Sequence, residues 1–411
     1  LLSHKFLTTL ILVLMLAQVV LPVLKVFATI DTPIDTVTAN DATAYSNGRK
    51  IVKLSNDTLV SVYTTGGSPQ IYSASSNDGG ITWIYIHKLS TKTGMSLYTN
   101  WQPAIAVDSS DNIFVVFAGL ATEPLVTNEQ IYFTEYTSGA WTAPVRISTN
   151  AGMEYNNQNR PSIAVSSTNI VYLVWDGAND GTGIDKIWFT FLSAGVWETP
   201  AYISTGAGMV GNPQDVASVE VDGNNNVHVI WTGISAGNPS AEGINYSEYS
   251  TGSWSTPVVI STYAGMDLYN QSPGSIAFDS NNYIYVVFYG KATGFTTAEQ
   301  VWFSANTGGG WSDPVRISTY AGMSTNAQLS PTIAVDSSNT LYVIWYGAAT
   351  SLNLCVWLNT KPTNNGWGTP APIKTDGIVN YPSIRWSEWP TTNGMTSSID
   401  YVCTTTSPLK V

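Results

Sequence analysis

The chain has 411 residues, of which 44% are hydrophobic and only 11% charged, with a formal net charge of −12. That composition excludes an intrinsically disordered chain, which needs high charge and low hydrophobicity. Sixteen Lys and Arg with no basic stripe argue against nucleic acid as a partner, because phosphate binding requires clustered cations. Twenty-two Tyr, 15 Trp and 34 Gly point instead to many short strands joined by tight turns.

The N-terminus stands apart. Lys5 precedes an apolar run over residues 6–24, followed by Val26-Phe27-Ala28, the charged start, apolar middle and small-residue end of a secretory signal peptide cleaved after Ala28. The alternative is an uncleaved N-terminal anchor, since nineteen apolar residues nearly suffice to cross a bilayer; Gln18 and Pro22 weaken it. The expectation is a secreted or cell-surface protein with residues 29–411 forming one domain and, once 1–28 is removed, no membrane span. Cys355 and Cys403 could pair in such a protein, but two thiols make no disulfide framework, so stability must come from packing.

Beyond the signal a decapeptide recurs. PVRISTNAGM at 144–153, PAYISTGAGM at 200–209, PVVISTYAGM at 257–266 and PVRISTYAGM at 314–323 share one frame, with fainter copies ending at Met95 and around Ile373. Taking Leu89, Ile147, Ile203, Ile260, Ile317 and Ile373 as equivalent gives steps of 58, 56, 57, 57 and 56 residues. Such a period marks a repeat architecture. Each unit parses into four short alternating runs, as at 274–280, 283–289, 300–305 and 314–318, which fits one blade of a β-propeller. A degenerate first copy covers 51–89, and 382–386, 399–404 and 408–411 begin a last one. Seven four-stranded blades are favoured and six are the alternative; around Ile34 to Ala39 an outer strand would close the ring, putting both chain ends in one blade. Closure removes exposed sheet edges.

Residues 76–83 read SNDGGITW, matching the S-x-D-x-G-x-T-W pattern of the Asp box, and the chain thereby resembles sialidase-like (BNR repeat) β-propellers. Trp141, Trp197, Trp254, Trp311 and Trp367 keep the frame in later blades. In the box an Asp accepts from backbone N–H groups across its turn, Gly supplies positive φ and Trp packs between blades. The resemblance implies that these hairpins lie on the face opposite the active site, so Asp78 is structural, and that the loops joining strands 2 to 3 and strand 4 to the next blade form the functional face.

Those loops, with the strand starts they lead into, carry Trp101, Gln102, Tyr155, Gln158, Arg160, Gln214, Asp215, Tyr269, Gln271, Gln328, Tyr381 and Arg385 as candidate ligand-binding residues. Amides that donate and accept, beside flat rings, suit sugar hydroxyls and ring faces. The recurring Gln residues could equally tie each loop to its neighbour. Glu129, Asp185, Glu242 and Glu299 recur just before strand 3, either bonding to the adjacent Ala-Gly-Met turn or attracting a cation such as Ca²⁺. No other cofactor or metal site is expected; Asp180 and Asp185 flank a Gly-rich loop without calcium-loop spacing.

The sialidase resemblance further implies a three-arginine carboxylate clamp. Arg49, Arg160 and Arg385 are the candidates, while Arg146 and Arg316 share a strand-4 position that reads as structural. Tyr381 and Glu220 are the candidates for the nucleophile and its activator. The chain departs from the family, however: Gly48-Arg49-Lys50-Ile51 stands where an R-I-P motif belongs, and residues 66–70 contain no carboxylate for an acid/base aspartate. His87 and His228, the only histidines after residue 28, carry no triad signature. The expected function is carbohydrate or surface-polymer binding through the loop face without hydrolysis; an exo-alpha-sialidase-type glycosidase and a structural surface protein are the alternatives.

Overall fold

The computed structural model describes residues 34–35, 42–122, 127–375, 379–391, 394–406 and 409–410; the expected signal segment lies outside them. All regular structure there is β-strand, apart from single 3-10 turns such as Met95–Leu97. Among the described residues no helix is long and apolar enough to cross a membrane.

Six antiparallel sheets are four-stranded blades. Blade 1 comprises Ile51–Lys53, Leu59–Thr64, Ile71–Ser76 and Ile84–Lys88, and blade 2 comprises Asn100–Val107, Ile113–Gly119, Gln130–Thr137 and an outer strand split into Ala140–Trp141 and Val145–Arg146. Blade 3 (Gln158–Val165, Val171–Gly177, Lys186–Ser193) and blade 4 (Gln214–Val221, Val227–Ser235, Asn238–Ser250) have outer strands split the same way. In blade 5 (Gln271–Phe278, Ile284–Ala292, Phe295–Asn306, Val315–Arg316) the first part of the outer strand shrinks to a bridge between Asn306 and Trp311, and blade 6 (Gln328–Val335, Leu341–Ala349, Leu352–Lys361, Ala371–Lys374) has a single outer strand. The count is therefore six, and the favoured seven is corrected. The remaining strands, Val379–Thr391, Gly394–Thr406 and Leu409–Lys410, make a three-stranded sheet without the decapeptide that closes a blade. Residues 36–39, expected to supply a fourth strand, lie outside the described residues; Ile34 packs in a cluster with Ile51 and Val402. The first strand of this sheet packs on the inner strands of blades 6 and 1.

The decapeptide explains the regularity. Its Ile is buried at 147, 203, 260 and 317. Its Ser oxygen accepts from the third strand, as in Ile131 N to Ser148 Oγ at 3.0 Å, Ile187 N to Ser204 Oγ at 3.1 Å and Ile244 N to Ser261 Oγ at 3.0 Å. Its Met is buried in all five copies, and the preceding Gly adopts φ between +76° and +90°. A Cβ on Gly152 would sit 2.0 Å from Asn179 O in the following blade, so the turn both bends left-handed and seats against its neighbour.

In blades 3 to 6 the Trp of the 3-to-4 hairpin crosses to the preceding blade. Phe133–Trp197, Phe189–Trp254, Tyr246–Trp311 and Phe303–Trp367 meet edge-to-face at 4.8–5.0 Å between centroids, each pair adding about 0.5–1.5 kcal/mol beyond area burial. In blade 1, Asp78 accepts from Thr82 N at 2.8 Å, Thr82 Oγ1 at 2.6 Å and Ser76 Oγ at 2.7 Å. Those bonds hold its carboxyl down at about 2. No disulfide joins Cys355 and Cys403, which are both buried.

Candidate functional site at the channel mouth

The inner strands of blades 2 to 6 each begin with an amide: Asn100, Gln158, Gln214, Gln271 and Gln328, all essentially inaccessible. Gln158 Nε2 donates to Ala178 O at 2.7 Å and its Oε1 accepts from Trp175 Nε1 at 2.9 Å; Gln214 and Gln328 repeat this with Trp231 and Trp345. Gln271 Nε2 donates to Tyr269 O and Lys291 O. The four glutamines proposed as ligand contacts are thus framework, buried and bonded internally through Nε2, with Oε1 engaged as well in all but Gln271. Gln102 is not their equivalent, since Asn100 takes that place.

Two residues on, the pairing register slips at Trp101/Ala104, Asn159/Ser162, Asp215/Ser218, Leu329/Thr332 and Asn380/Ser383. The bulged residues Gln102, Arg160, Val216, Ser330 and Tyr381 have φ of +55°, +50°, +51°, +50° and +49°. Such a bulge re-aims a side chain. At Gln102 it directs the side-chain oxygen onto Arg160 N, 2.7 Å away.

In blade 3 the bulge directs Arg160 into a carboxylate nest. Arg160 Nε and NH2 grip Asp176 at 2.9 and 2.7 Å, and the same NH2 reaches Asp215 Oδ1 at 2.8 Å. Asp176 is inaccessible, whereas Arg160 and Asp215 retain 21% and 22% side-chain exposure toward solvent. Asp185 joins them: its carboxylate and those of Asp176 and Asp215 bring oxygens within 4.8 Å of one another. Burial raises the Asp176 carboxyl to about 6 against the pull of Arg160. Burial and the adjacent Asp176 and Asp215 push Asp185 to about 7. Asp176 and Asp185 thus carry carboxyl groups raised toward neutrality beside one guanidinium, the condition for proton transfer.

The floor of this mouth is the segment before blade 1, which crosses the channel. Asn47 Nδ2 donates to Arg160 O at 2.9 Å and Ala217 O at 2.8 Å, and Ser162 Oγ donates to Asn47 O. A Cβ on Gly48 would meet Ala104 Cβ at 2.7 Å. Lys50 is completely buried and donates to Tyr45 O and Gly48 O, its ammonium pulled down to about 7 by burial. The Tyr45 ring lies 6.0 Å from the Arg160 guanidinium carbon.

The remaining candidates separate. Arg49 pairs with Glu220 across the channel at 2.9 Å, so Arg49 and Arg160 are each held by different carboxylates, and Glu220 answers an arginine instead of Tyr381. Tyr381 meets Tyr346 edge-on at 5.6 Å. The Arg385 side chain lies outside the described ones. Tyr155 is 75% exposed on the rim, and Tyr269 is half-buried. Burial raises the Glu129 carboxyl against the opposing Trp101 indole N–H. Burial raises Glu242 too, with Asp215 adding to it. Glu129 and Asp185 accept from the next blade through their backbone, as in Gln158 N to Glu129 O at 2.8 Å, not through side-chain bonds to the Ala-Gly-Met turn. Glu299 faces Lys291 at 3.7 Å. Asp180 is engaged by Lys186 at 2.8 Å. His228 is buried against Tyr246 and His87 is exposed on an outer strand.

Sequence reasoning missed Asp176 and the channel segment. Asp176 had a signal: the residue before the Gly of strand 2 is Ala118, Asp176, Thr232, Tyr289 and Tyr346, and only one of these is charged.

No protein-family model and no curated protein matches the chain. Among solved structures, an ulvan lyase of a new polysaccharide lyase family, bound to -[GlcA(1-4)Rha3S]-, is similar over 91% of this chain and 94% of its own, at 9% identity and a TM-score of 0.61. A Dyadobacter fermentans protein of unknown function aligns over 80% of this chain and 96% of its own, at 10% identity and 0.52. A second polysaccharide lyase aligns over 90% and 92%, at 9% identity and 0.51. At such identities the likeness is one of fold, and that fold is the β-propeller.

Proposed function

We propose that this chain is an exported, sialidase-like propeller that binds carbohydrate at the channel mouth around Arg160, Asp176, Asp185 and Asp215, without cleaving it. The observation that supports this reading is the polar nest itself: solvent-reaching charged donors and acceptors, with Tyr45 beside them, on a rigid frame. The excess of carboxylate favours a neutral or amine-bearing glycan over a sialoside, whose own carboxylate would meet Asp185 and Asp215. The Asp78 hairpin and the Trp pairs support the Asp-box resemblance, and the apolar run over residues 6–24 supports export. A glycan array probed with residues 32–411 tests the reading. Retention of neutral or amino sugars that Asp215→Asn and Arg160→Met abolish is expected, and a blank array overturns it.

A second reading is glycoside hydrolysis, favoured by one observation: the Asp185 carboxyl at about 7 beside Asp215 is poised as a general acid. Release of aglycone from a panel of fluorogenic glycosides, abolished by Asp185→Asn, would replace binding with catalysis.

A further inference from the structure

The mouth is rich in hydrogen-bond acceptors and short of donors. Arg160 is the single cation paired with the nest among the described residues, and its bonds go to both oxygens of Asp176 and to Asp215 Oδ1. Lys186, Lys291 and Arg49 are committed elsewhere, to Asp180, Glu299 and Glu220. Asp185 and Glu242 stand in no ion pair among the described residues. Burial raises both carboxyls, and nearby negative charge raises them further: Asp176 and Asp215 act on Asp185, and Asp215 on Glu242. One more acceptor lies with them. Asn159 is the register partner of Asp176, so the two side chains emerge on one face of blade 3. That face is turned to blade 4, because Asp176 Oδ1 accepts from Val216 N at 3.1 Å. Asn159 Oδ1 is inaccessible and has no hydrogen-bond partner among the described residues, a costly arrangement until a bound group brings a donor. Across the channel the chemistry changes. The strand-2 position that holds Asp176 in blade 3 holds Tyr289 in blade 5 and Tyr346 in blade 6. Tyr45 links the two sides: its ring lies near the Arg160 guanidinium, and burial, with Glu299 and Tyr45 close by, raises the Tyr289 hydroxyl.

Resting on the carbohydrate-binding reading above, we infer that the mouth selects an amino-sugar glycan with free amines, one ammonium seated among Asp185, Asp215, Glu242 and Asn159 and its sugar ring turned to the tyrosines. An ammonium carries three donors and no acceptor, the complement of these four groups. Its bonds to carboxylates are charge-assisted, about twice as strong as neutral ones. A hydroxyl brings one donor without charge. An N-acetyl group replaces the charge with a carbonyl that faces carboxylate oxygens. A bare Ca²⁺ would need about 6–8 oxygen ligands, and Arg160 already engages three of the carboxylate oxygens. The aromatic side offers apolar surface for the ring that carries the amine.

Tetrasaccharides of β-1,4-linked glucosamine, N-acetylglucosamine and glucose differ only in the C2 substituent, and calorimetric titration of the protein with each, just below neutral pH, tests the inference. The glucosamine tetramer should bind at least tenfold tighter than the glucose tetramer. Asp185→Asn and Asn159→Ala should each reduce that preference at least threefold, whereas Tyr45→Ala should weaken both ligands and keep it. Asp267→Asn removes an exposed rim carboxylate outside the nest and should change nothing, which separates the site from bulk attraction of a polycation to an acidic protein. Glucose or N-acetylglucosamine tetramers that bind as tightly as the glucosamine tetramer overturn the inference and leave the carbohydrate reading standing. A preference that survives Asp185→Asn, or that Asp267→Asn lowers equally, overturns it as bulk attraction. Binding by none of the three overturns it as well, and the glycan array then decides the broader reading.

Discussion

Asp185→Asn should stabilise the protein at pH 8 and leave it nearly unchanged at pH 4. The Asp185 carboxyl rises from 3.8 to about 7, because burial and the neighbouring Asp176 and Asp215 disfavour its charge. A carboxyl whose folded value lies above its unfolded value binds its proton more tightly in the native state. Its favourable contribution is therefore complete below about 4 and is lost as the pH rises through about 7. At about 1.4 kcal/mol per pH unit the full displacement is worth roughly 4 kcal/mol, and solvent at the half-buried group reduces this to about 2 kcal/mol. The neutral amide removes the repulsion while keeping the shape. Urea unfolding of parent and variant at pH 4 and pH 8 measures the difference, with the midpoint shift converted through a common m-value. Equal midpoints at pH 8, or a variant less stable there than the parent, would refute the account of the nest as a strained, functional arrangement.

Four further substitutions probe the frame. Gly152→Ala places a Cβ against Asn179 O at positive φ and should cost about 3 kcal/mol or more, whereas Gly195→Ala, with open space around it, should cost about 1 kcal/mol; equal melting temperatures would contradict the seated turn. Asn225→Ala removes the bonds to Ser167 N and Oγ and should cost about 1–2 kcal/mol by chemical denaturation. Asn47→Ala leaves the Arg160 and Ala217 carbonyls without their donor, and should cost about 2 kcal/mol and speed amide exchange over residues 44–50 while sparing blade 5.

The blades were legible because each repeats the same local chemistry: a buried Ile, a Ser oxygen for the third strand and a Gly that only a left-handed turn explains. The fifth blade shows how closely: the runs read at 274–280, 283–289 and 300–305 fall on Gln271–Phe278, Ile284–Ala292 and Phe295–Asn306. The number of blades was less legible, since leftover length suggests another sheet but cannot supply the outer-strand signature that completes it. Arg160 and Asp215 were legible as charged residues at inner-strand starts. The glutamines misled because recurrence marks framework: an amide that bonds the same neighbouring backbone in blade after blade is repeated for that reason. The channel segment could not be read, because its partners come from sequence separations of 113 and 170 residues and no period predicts them.

The segment from Thr43 to Lys50 also fastens the ring. Thr43 N and Oγ1 bond Thr404 Oγ1 and Tyr381 O, and Lys50 N donates to Ser383 Oγ, all on the C-terminal sheet. Elsewhere neighbouring blades are stapled by their own turns, as Asp111 accepts from Ser55, Asn225 from Ser167 and Asn339 from Ser280. The same eight residues that floor the mouth therefore join the first blade to the last sheet. Occupancy of the mouth and closure of the ring become linked equilibria: a ligand that holds Tyr45 against Arg160 also disfavours opening of the seam, and whatever loosens the seam must weaken that ligand by the same factor.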